Sequence, residues 1–125
     1  MNLTKRIIDT VTAAYIDAVF FTDTGDTDQP TADTPLADSA RDQARSDCEA
    51  FLIKCSEAGL LERMAKMPYM MTWEAVGHDL WLTRNGHGSG FWDRGIGDLG
   101  KAFTNLAQDA GGIDTLEVDG ELTFA

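Results

Sequence analysis

The spacing of apolar side chains predicts two amphipathic helices in the first half of the chain. Over residues 2–21 they recur every three or four positions, which aligns them on one helix face; they are Leu3, Ile7, Ile8, Val11, Tyr15 and Val19. Asn2 is the predicted N-cap of this helix. A second stripe predicts a helix over residues 36–58, which starts after the pair Thr34–Pro35 and ends before Gly59.

The pattern changes from His78 onward, where apolar residues alternate as they do in a β-strand. Leu80 and Leu82 fall on the same face of this predicted strand. Asn85–Gly86 is the typical sequence of a two-residue hairpin turn. Residues 91–93 are therefore predicted to form the returning strand.

Two further elements complete the chain. A third long helix is predicted over residues 96–110, and a terminal hairpin is predicted around Asp119–Gly120. A three-residue loop would pair Val118 with Leu122 and keep the apolar residues on one face, whereas a two-residue turn would pair Val118 with Glu121. The longer loop is the predicted one.

These elements predict one α+β domain over residues 1–125. Two N-terminal helices precede a small antiparallel sheet, which is crossed by the third helix and followed by the C-terminal hairpin. Residues 22–35, in which Asp, Thr, Gly and Pro replace large apolar side chains, form a predicted acidic loop. A length of 125 residues and a hydrophobic content of 43% suffice for one buried core.

The two cysteines, Cys48 and Cys55, lie seven positions apart on the second predicted helix. A helix rises about 1.5 Å per residue, which separates their Cα atoms by roughly 10 Å. A disulfide needs a shorter separation, and the surrounding segment has no histidine that would help to complete a metal site. Both are predicted to be reduced thiols in the core.

Charge is the most informative property of the composition. The chain carries 21 acidic and 10 basic side chains, a net charge of −11. The excess lies at the two ends, because residues 1–40 hold seven acids and two bases, and residues 102–125 hold five acids and no base. Such a field repels nucleic acid and anionic membranes, and it favours a basic protein partner. The alternative interpretation is that the charge serves only to keep the protein soluble.

Residues 77–100 contain the side chains that are most typical of a functional site. One hypothesis is a metal-dependent hydrolase or nuclease in which a nearby arginine binds phosphate; its zinc or manganese ligands would be His78, Asp79, His87 and Asp93. Base stacking on Trp81, Phe91 and Trp92 is a second hypothesis, which the negative net charge disfavours. In the structural interpretation the polar groups satisfy the backbone of the hairpin, and Trp92 is buried.

The same segment resembles a family of small uncharacterised proteins from tailed bacteriophages and prophages. The resemblance is carried by Gly77-His78-Asp79, by the run from Trp81 to Gly88 (WLTRNGHG) and by Gly90 to Gly95 (GFWDRG). It is specific over residues 73–101 and looser over the rest of the chain. The family carries no established chemistry, so the resemblance implies only an accessory protein that acts in the cytoplasm of a bacterial host.

Charge and resemblance together predict a non-enzymatic phage protein that binds a basic host protein, such as a defence nuclease or a CRISPR effector. Its acidic surfaces would imitate the phosphates of DNA. No cofactor, membrane or direct nucleic-acid partner is predicted. The predicted partner-binding residues are Asp23, Asp26, Asp28 and Asp33 in the acidic loop and Arg84, Asn85 and His87 at the hairpin tip.

Overall fold

The computed structural model describes residues 2–23, 34–67 and 69–125, except for the side chain of Asp23. These residues form helices and one two-stranded sheet. The elements are α1 (Lys5–Asp23), α2 (Asp38–Glu57), α3 (Leu60–Ala65), α4 (Trp73–Arg84), a short 3-10 helix (Phe91–Arg94), α5 (Asp98–Asp109), β1 (Thr115–Val118) and β2 (Glu121–Phe124). None of the helices in these ranges is long and apolar enough to cross a membrane.

The predicted α+β fold is wrong, because the chain from His78 to Arg84 is the second half of helix α4. Nearly every side of α4 is covered; its buried residues are Val76, Gly77, Asp79, Leu80, Trp81, Leu82 and Thr83. A helix that is enclosed in this way carries apolar residues at most positions. Over a few residues such a run also fits the two-residue period of a strand.

Asn85–Gly86 ends helix α4 and does not form a hairpin turn. The Gly86 N–H donates to the Thr83 carbonyl at 3.2 Å, and the His87 N–H donates to the Leu82 carbonyl at 2.9 Å. With a φ of 71° at Gly86, these two bonds form a Schellman motif, which satisfies carbonyls at a helix end. An Asn-Gly pair is compatible with a hairpin turn and with a helix end. Here it ends a helix because the preceding residues form the buried helix α4.

The predicted returning strand is also wrong, since Phe91–Arg94 is a 3-10 helix. The Phe91 ring is fully buried and stacks on Phe103 of α5 with ring centroids 4.9 Å apart. Trp92, which was predicted to be buried, is 46% exposed. The 3-10 helix therefore packs against α5 through Phe91, while Trp92, its other aromatic residue, is half-exposed.

The first two predicted helices are confirmed, although both begin at other caps. The Thr4 hydroxyl, and not Asn2, caps α1 by accepting the Ile7 N–H at 3.2 Å. Helix α2 begins at Asp38 because the preceding residues pair with β2: the Leu122 N–H donates to the Pro35 carbonyl at 2.8 Å. The predicted first helical positions, 36 and 37, are therefore extended.

The terminal hairpin is confirmed, but its register is the one that was not predicted. Val118 pairs with Glu121 across the two-residue turn Asp119–Gly120. Both turn residues have positive φ, 52° and 81°, as the favoured hairpin turns require. Leu122 is fully buried while Val118 is 46% exposed. The turn chemistry, rather than a matched apolar face, determines the register.

Helices α1 and α4 make the most extensive contact in the fold, and Gly77 makes their close approach possible. A Cβ at this position would lie 2.0 Å from the Val11 carbonyl oxygen of α1. The helices share one core with α2, α3, α5 and β2. Cys48 and Cys55 are free and buried in this core, as predicted.

We expect Gly77→Ala to force α1 and α4 apart and to destabilise the fold by about 1–3 kcal/mol or more, the range for overpacking a core. Gly88→Ala is the matched control, because a Cβ there meets nothing within 4 Å. Urea unfolding followed by circular dichroism measures both. An unchanged midpoint for Gly77→Ala would contradict the described helix contact.

Stability should fall in alkali because burial raises the pKa of the Cys48 and Cys55 thiols to about 12. The unfolded chain ionises these thiols at lower pH than the folded chain does. Stability is therefore complete below the ordinary thiol pKa and decreases as pH rises toward 12, by up to about 1.4 kcal/mol per pH unit for each thiol. Urea midpoints from pH 8 upward test this, and Cys55→Ala should reduce the slope. A pH-independent midpoint would contradict it.

Candidate functional site

Arg84, predicted to lie at an exposed hairpin tip, is a buried side chain that joins four helices. Its side chain is 8% exposed. One terminal nitrogen donates to the Tyr15 hydroxyl of α1 and to the Asp47 carboxylate of α2, each at 3.0 Å. The other nitrogens donate to the Gly111 carbonyl at 2.8 Å and the Ala110 carbonyl at 3.2 Å. The guanidinium of Arg84 is therefore engaged in hydrogen bonds within the fold and is not exposed for binding a partner.

Asn85 is likewise used within the fold. Its amide nitrogen donates to the Trp81 carbonyl at 3.0 Å, and its amide oxygen accepts the Ile113 N–H at 2.9 Å. These bonds attach the loop after α5 to the end of α4. His87 is half-buried just beyond the helix end. The three predicted tip residues thus lie at the C-terminus of α4, and two of them hold the fold together.

The four proposed metal ligands do not converge. Among the residues that the structure describes, no group of three or more His, Cys, Asp and Glu side chains could hold a metal ion. Asp79 is buried, and both of its oxygens accept from Arg94, at 2.7 and 2.9 Å. Asp93 is exposed on the 3-10 helix. The Arg94–Asp79 pair fixes the 3-10 helix to α4 and keeps the pKa of Arg94 above its usual value, chiefly through the hydrogen bonds to Asp79.

His78 lies in an open groove of about 650 Å³ between α1 and α4. Its ring lies 6.0 Å from that of Phe21, centroid to centroid. The groove is lined by Thr10, Ala13, Ala14, Asp17, Thr72, Glu74, Ala75, His78 and Arg94. The lining contains the carboxylates of Asp17 and Glu74 and the guanidinium of Arg94, which is paired with Asp79. Sequence reasoning missed this groove, for which the small residues of α1 were the only signal.

Exposed carboxylates also lie on and around the terminal hairpin. We call this cluster the acidic end; its members are Asp38, Asp109, Asp114, Glu117, Asp119 and Glu121, all exposed. Backbone hydrogen bonds connect the segments that carry five of them, all except Asp109: the Ala37 N–H donates to the Leu122 carbonyl, and the Ala125 N–H donates to the Asp114 carbonyl, both at 2.9 Å. The cluster is therefore held on ordered backbone.

No salt bridge within the described ranges includes any carboxylate of the acidic end. The ion pairs there join Arg45 to Asp9, Arg84 to Asp47 and Arg94 to Asp79. The nearest basic residue in the sequence before the hairpin is Lys101. The acidic end, with six carboxylates and only Arg41 within one helical turn of Asp38, presents net negative charge. Such charge attracts cationic groups over about 8–10 Å at physiological salt.

Most of the predicted acidic loop, residues 24–33, lies outside the described residues. Asp26, Asp28 and Asp33 lie outside the described residues, as does the side chain of Asp23. Their predicted part in binding stays a prediction.

Comparisons of the chain with protein-family models, with curated proteins and with solved structures found no match. The resemblance to tailed-phage proteins therefore rests on the signature between Gly77 and Gly95. In the structure this signature occupies α4, its C-terminal cap and the 3-10 helix. Its most distinctive residues contribute to packing and to internal hydrogen bonds, as described for Arg84, Asn85 and Arg94.

We expect Arg84→Met to destabilise the fold by about 3 kcal/mol, because removal of one partner leaves buried polar groups unpaired. Arg41→Met is the control, since Arg41 is exposed on α2. Thermal unfolding measures both variants. A wild-type melting temperature for Arg84→Met, combined with loss of partner binding, would show that Arg84 is a contact residue after all.

Proposed function

We propose that this protein binds a basic, nucleic-acid-handling surface of a host protein through its acidic end and blocks that surface without catalysing a reaction. The single observation that carries the proposal is the acidic end itself: six exposed carboxylates, five of them on segments joined by backbone hydrogen bonds, with no salt bridge to any of the six in the described part of the chain. A surface that binds DNA phosphates presents clustered arginine and lysine side chains. Fixed carboxylates are the complementary charge.

The structure changes which predicted residues support the proposal. Arg84 and Asn85 are withdrawn from the binding surface, because their polar atoms are engaged inside the fold. The predicted loop over residues 22–35 is wrong at its start, because Thr22 and Asp23 belong to α1. Asp23, at the end of α1, and Asp26, Asp28 and Asp33 remain part of the proposal on the basis of their charge alone. The resemblance to tailed-phage proteins supports a host protein as the partner, and with it a place of action in the host cytoplasm.

The metal-dependent hydrolase is not favoured by any observation in the described residues. Asp79 is already satisfied by Arg94, and His78 lies in the groove between α1 and α4. A ligand set would require these two side chains to leave their present contacts. The proposal therefore retains binding as the function.

Binding should depend on charge in a measurable way. Exposed ion pairs contribute about 0.2–1 kcal/mol each, so removal of three carboxylates should weaken binding about tenfold. Most of the effect at low salt should be on the association rate. Added duplex DNA should compete with this protein, because both would occupy the same basic surface.

We therefore expect the triple variant Glu117→Gln, Asp119→Asn, Glu121→Gln to bind the partner about tenfold more weakly. The partner is first recovered from a bacterial host lysate, identified, and purified for binding measurements in a salt series with and without duplex DNA. Asparagine tolerates the positive φ at position 119, so the hairpin should fold.

The control variant removes the same number of charges elsewhere: Glu49→Gln, Glu57→Gln and Glu74→Gln, all at exposed positions. It should bind like the wild type at moderate salt. Equal affinities for both triple variants, or a partner that DNA does not displace, would contradict the proposed function.

A further inference from the structure

The terminal hairpin and residues 35–37 form a small three-stranded arrangement in which β1 is one of the two outer strands. On one side β2 pairs with β1; on its other side the Leu122 N–H and carbonyl bond to Pro35 and Ala37, at 2.8 and 2.9 Å. Both edges of β2 are thus occupied, and β1 is an outer strand. Within the described ranges, no segment forms a backbone hydrogen bond with Glu117 on the far edge of β1.

The register places the backbone groups of Glu117 on the outer edge of β1. Val118 and Glu121 flank the two-residue turn and form a hydrogen-bonded pair, so the next pair, Glu117 with Leu122, is a non-hydrogen-bonded one. The hydrogen bonds between Leu122 and residues Pro35 and Ala37 agree with this assignment, because they show that the N–H and carbonyl of Leu122 point away from β1. The N–H and carbonyl of Glu117 therefore point outward.

The side chains of β1 divide between two faces. Leu116 and Val118 share the outer face and are 38% and 46% exposed, although both are apolar. Glu117 lies on the other face, paired with Leu122, and its carboxylate is exposed. An added strand would thus meet two apolar side chains on one face and a carboxylate on the other.

We infer that the outer edge of β1 binds an extended, basic segment of the partner as an additional β-strand. The segment would have an apolar–basic–apolar core, because side chains directly opposite each other lie on the same face of a sheet. The basic residue lies opposite Glu117, and the apolar residues lie opposite Leu116 and Val118. This mode deepens the proposed function and rests on it, since it specifies how the acidic end takes hold of its basic partner.

Charge argues for a basic partner strand and against a second copy of this chain. Residues 102–125 contain five acids and no base. Pairing of β1 with β1 of another copy would bring these acids together, and like charges placed opposite each other destabilise a sheet. A lysine or arginine opposite Glu117 replaces that repulsion with attraction, while the backbone bonds of strand addition remain the same.

The test uses two peptides of equal composition and charge: one in which lysine and valine alternate, and one in which the same residues stand in two blocks. We expect the alternating peptide to bind the wild-type protein at least about tenfold more tightly, because only it matches both faces of β1. At saturation it should also slow hydrogen exchange of the Glu117 amide, measured by NMR. This last measurement needs no variant.

Two variants separate the backbone contribution from the charge. Glu117→Pro removes the outward N–H without removing a bond to β2, and it should abolish the preference for the alternating peptide. Glu117→Gln keeps the N–H, so it should weaken both peptides while preserving the preference. Circular dichroism and the shift of the buried Leu122 methyl groups check that each variant retains the hairpin.

The outcomes distinguish this inference from the proposed function. Equal affinity for the two peptides, or unchanged exchange of the Glu117 amide at saturation, would overturn strand addition and leave capture by charge intact. Failure of both peptides to bind would also overturn it. The proposed function is tested separately, by the DNA competition and salt series with the purified host partner.

Discussion

The buried guanidinium of Arg84 holds the four long helices in one arrangement. It extends from α4, donates to Tyr15 of α1 and Asp47 of α2, and reaches the carbonyls of Ala110 and Gly111, directly after the end of α5. A cation removed from water is stable only when its donors are paired, so these four helices must meet at one point. The contact also sets where the chain leaves α5, and hence where the terminal hairpin and its carboxylates lie.

Much of the helical part of the fold could be predicted from the sequence. Helices α1, α2 and α5 each bury one stripe against the shared core, which is the situation in which apolar spacing is informative. The buried free thiols of Cys48 and Cys55 followed from helix geometry, and the terminal hairpin followed from its strand pattern and Asp119–Gly120. In each case the decisive information is local.

The predictions were wrong where contacts between residues far apart in the sequence determine the local structure. Helix α4 is covered on nearly all sides, so its pattern does not show which face is inside. The start of α2 depends on pairing of Pro35 and Ala37 with Leu122, and Arg84 depends on partners 37 and 69 positions away. For the candidate site, the excess of acid at both chain ends was visible in the sequence, whereas the structural use of Arg84 and Asn85 required the tertiary contacts.

The chain thus divides into a scaffold, whose most distinctive residues face inward, and an acidic end that faces solvent. The most direct test of this division is amide hydrogen exchange, measured by mass spectrometry, of the protein alone and bound to the proposed host partner. We expect new protection in residues 114–124 and unchanged exchange in residues 77–94. Protection confined to residues 77–94, with none at the terminal hairpin, would contradict the account.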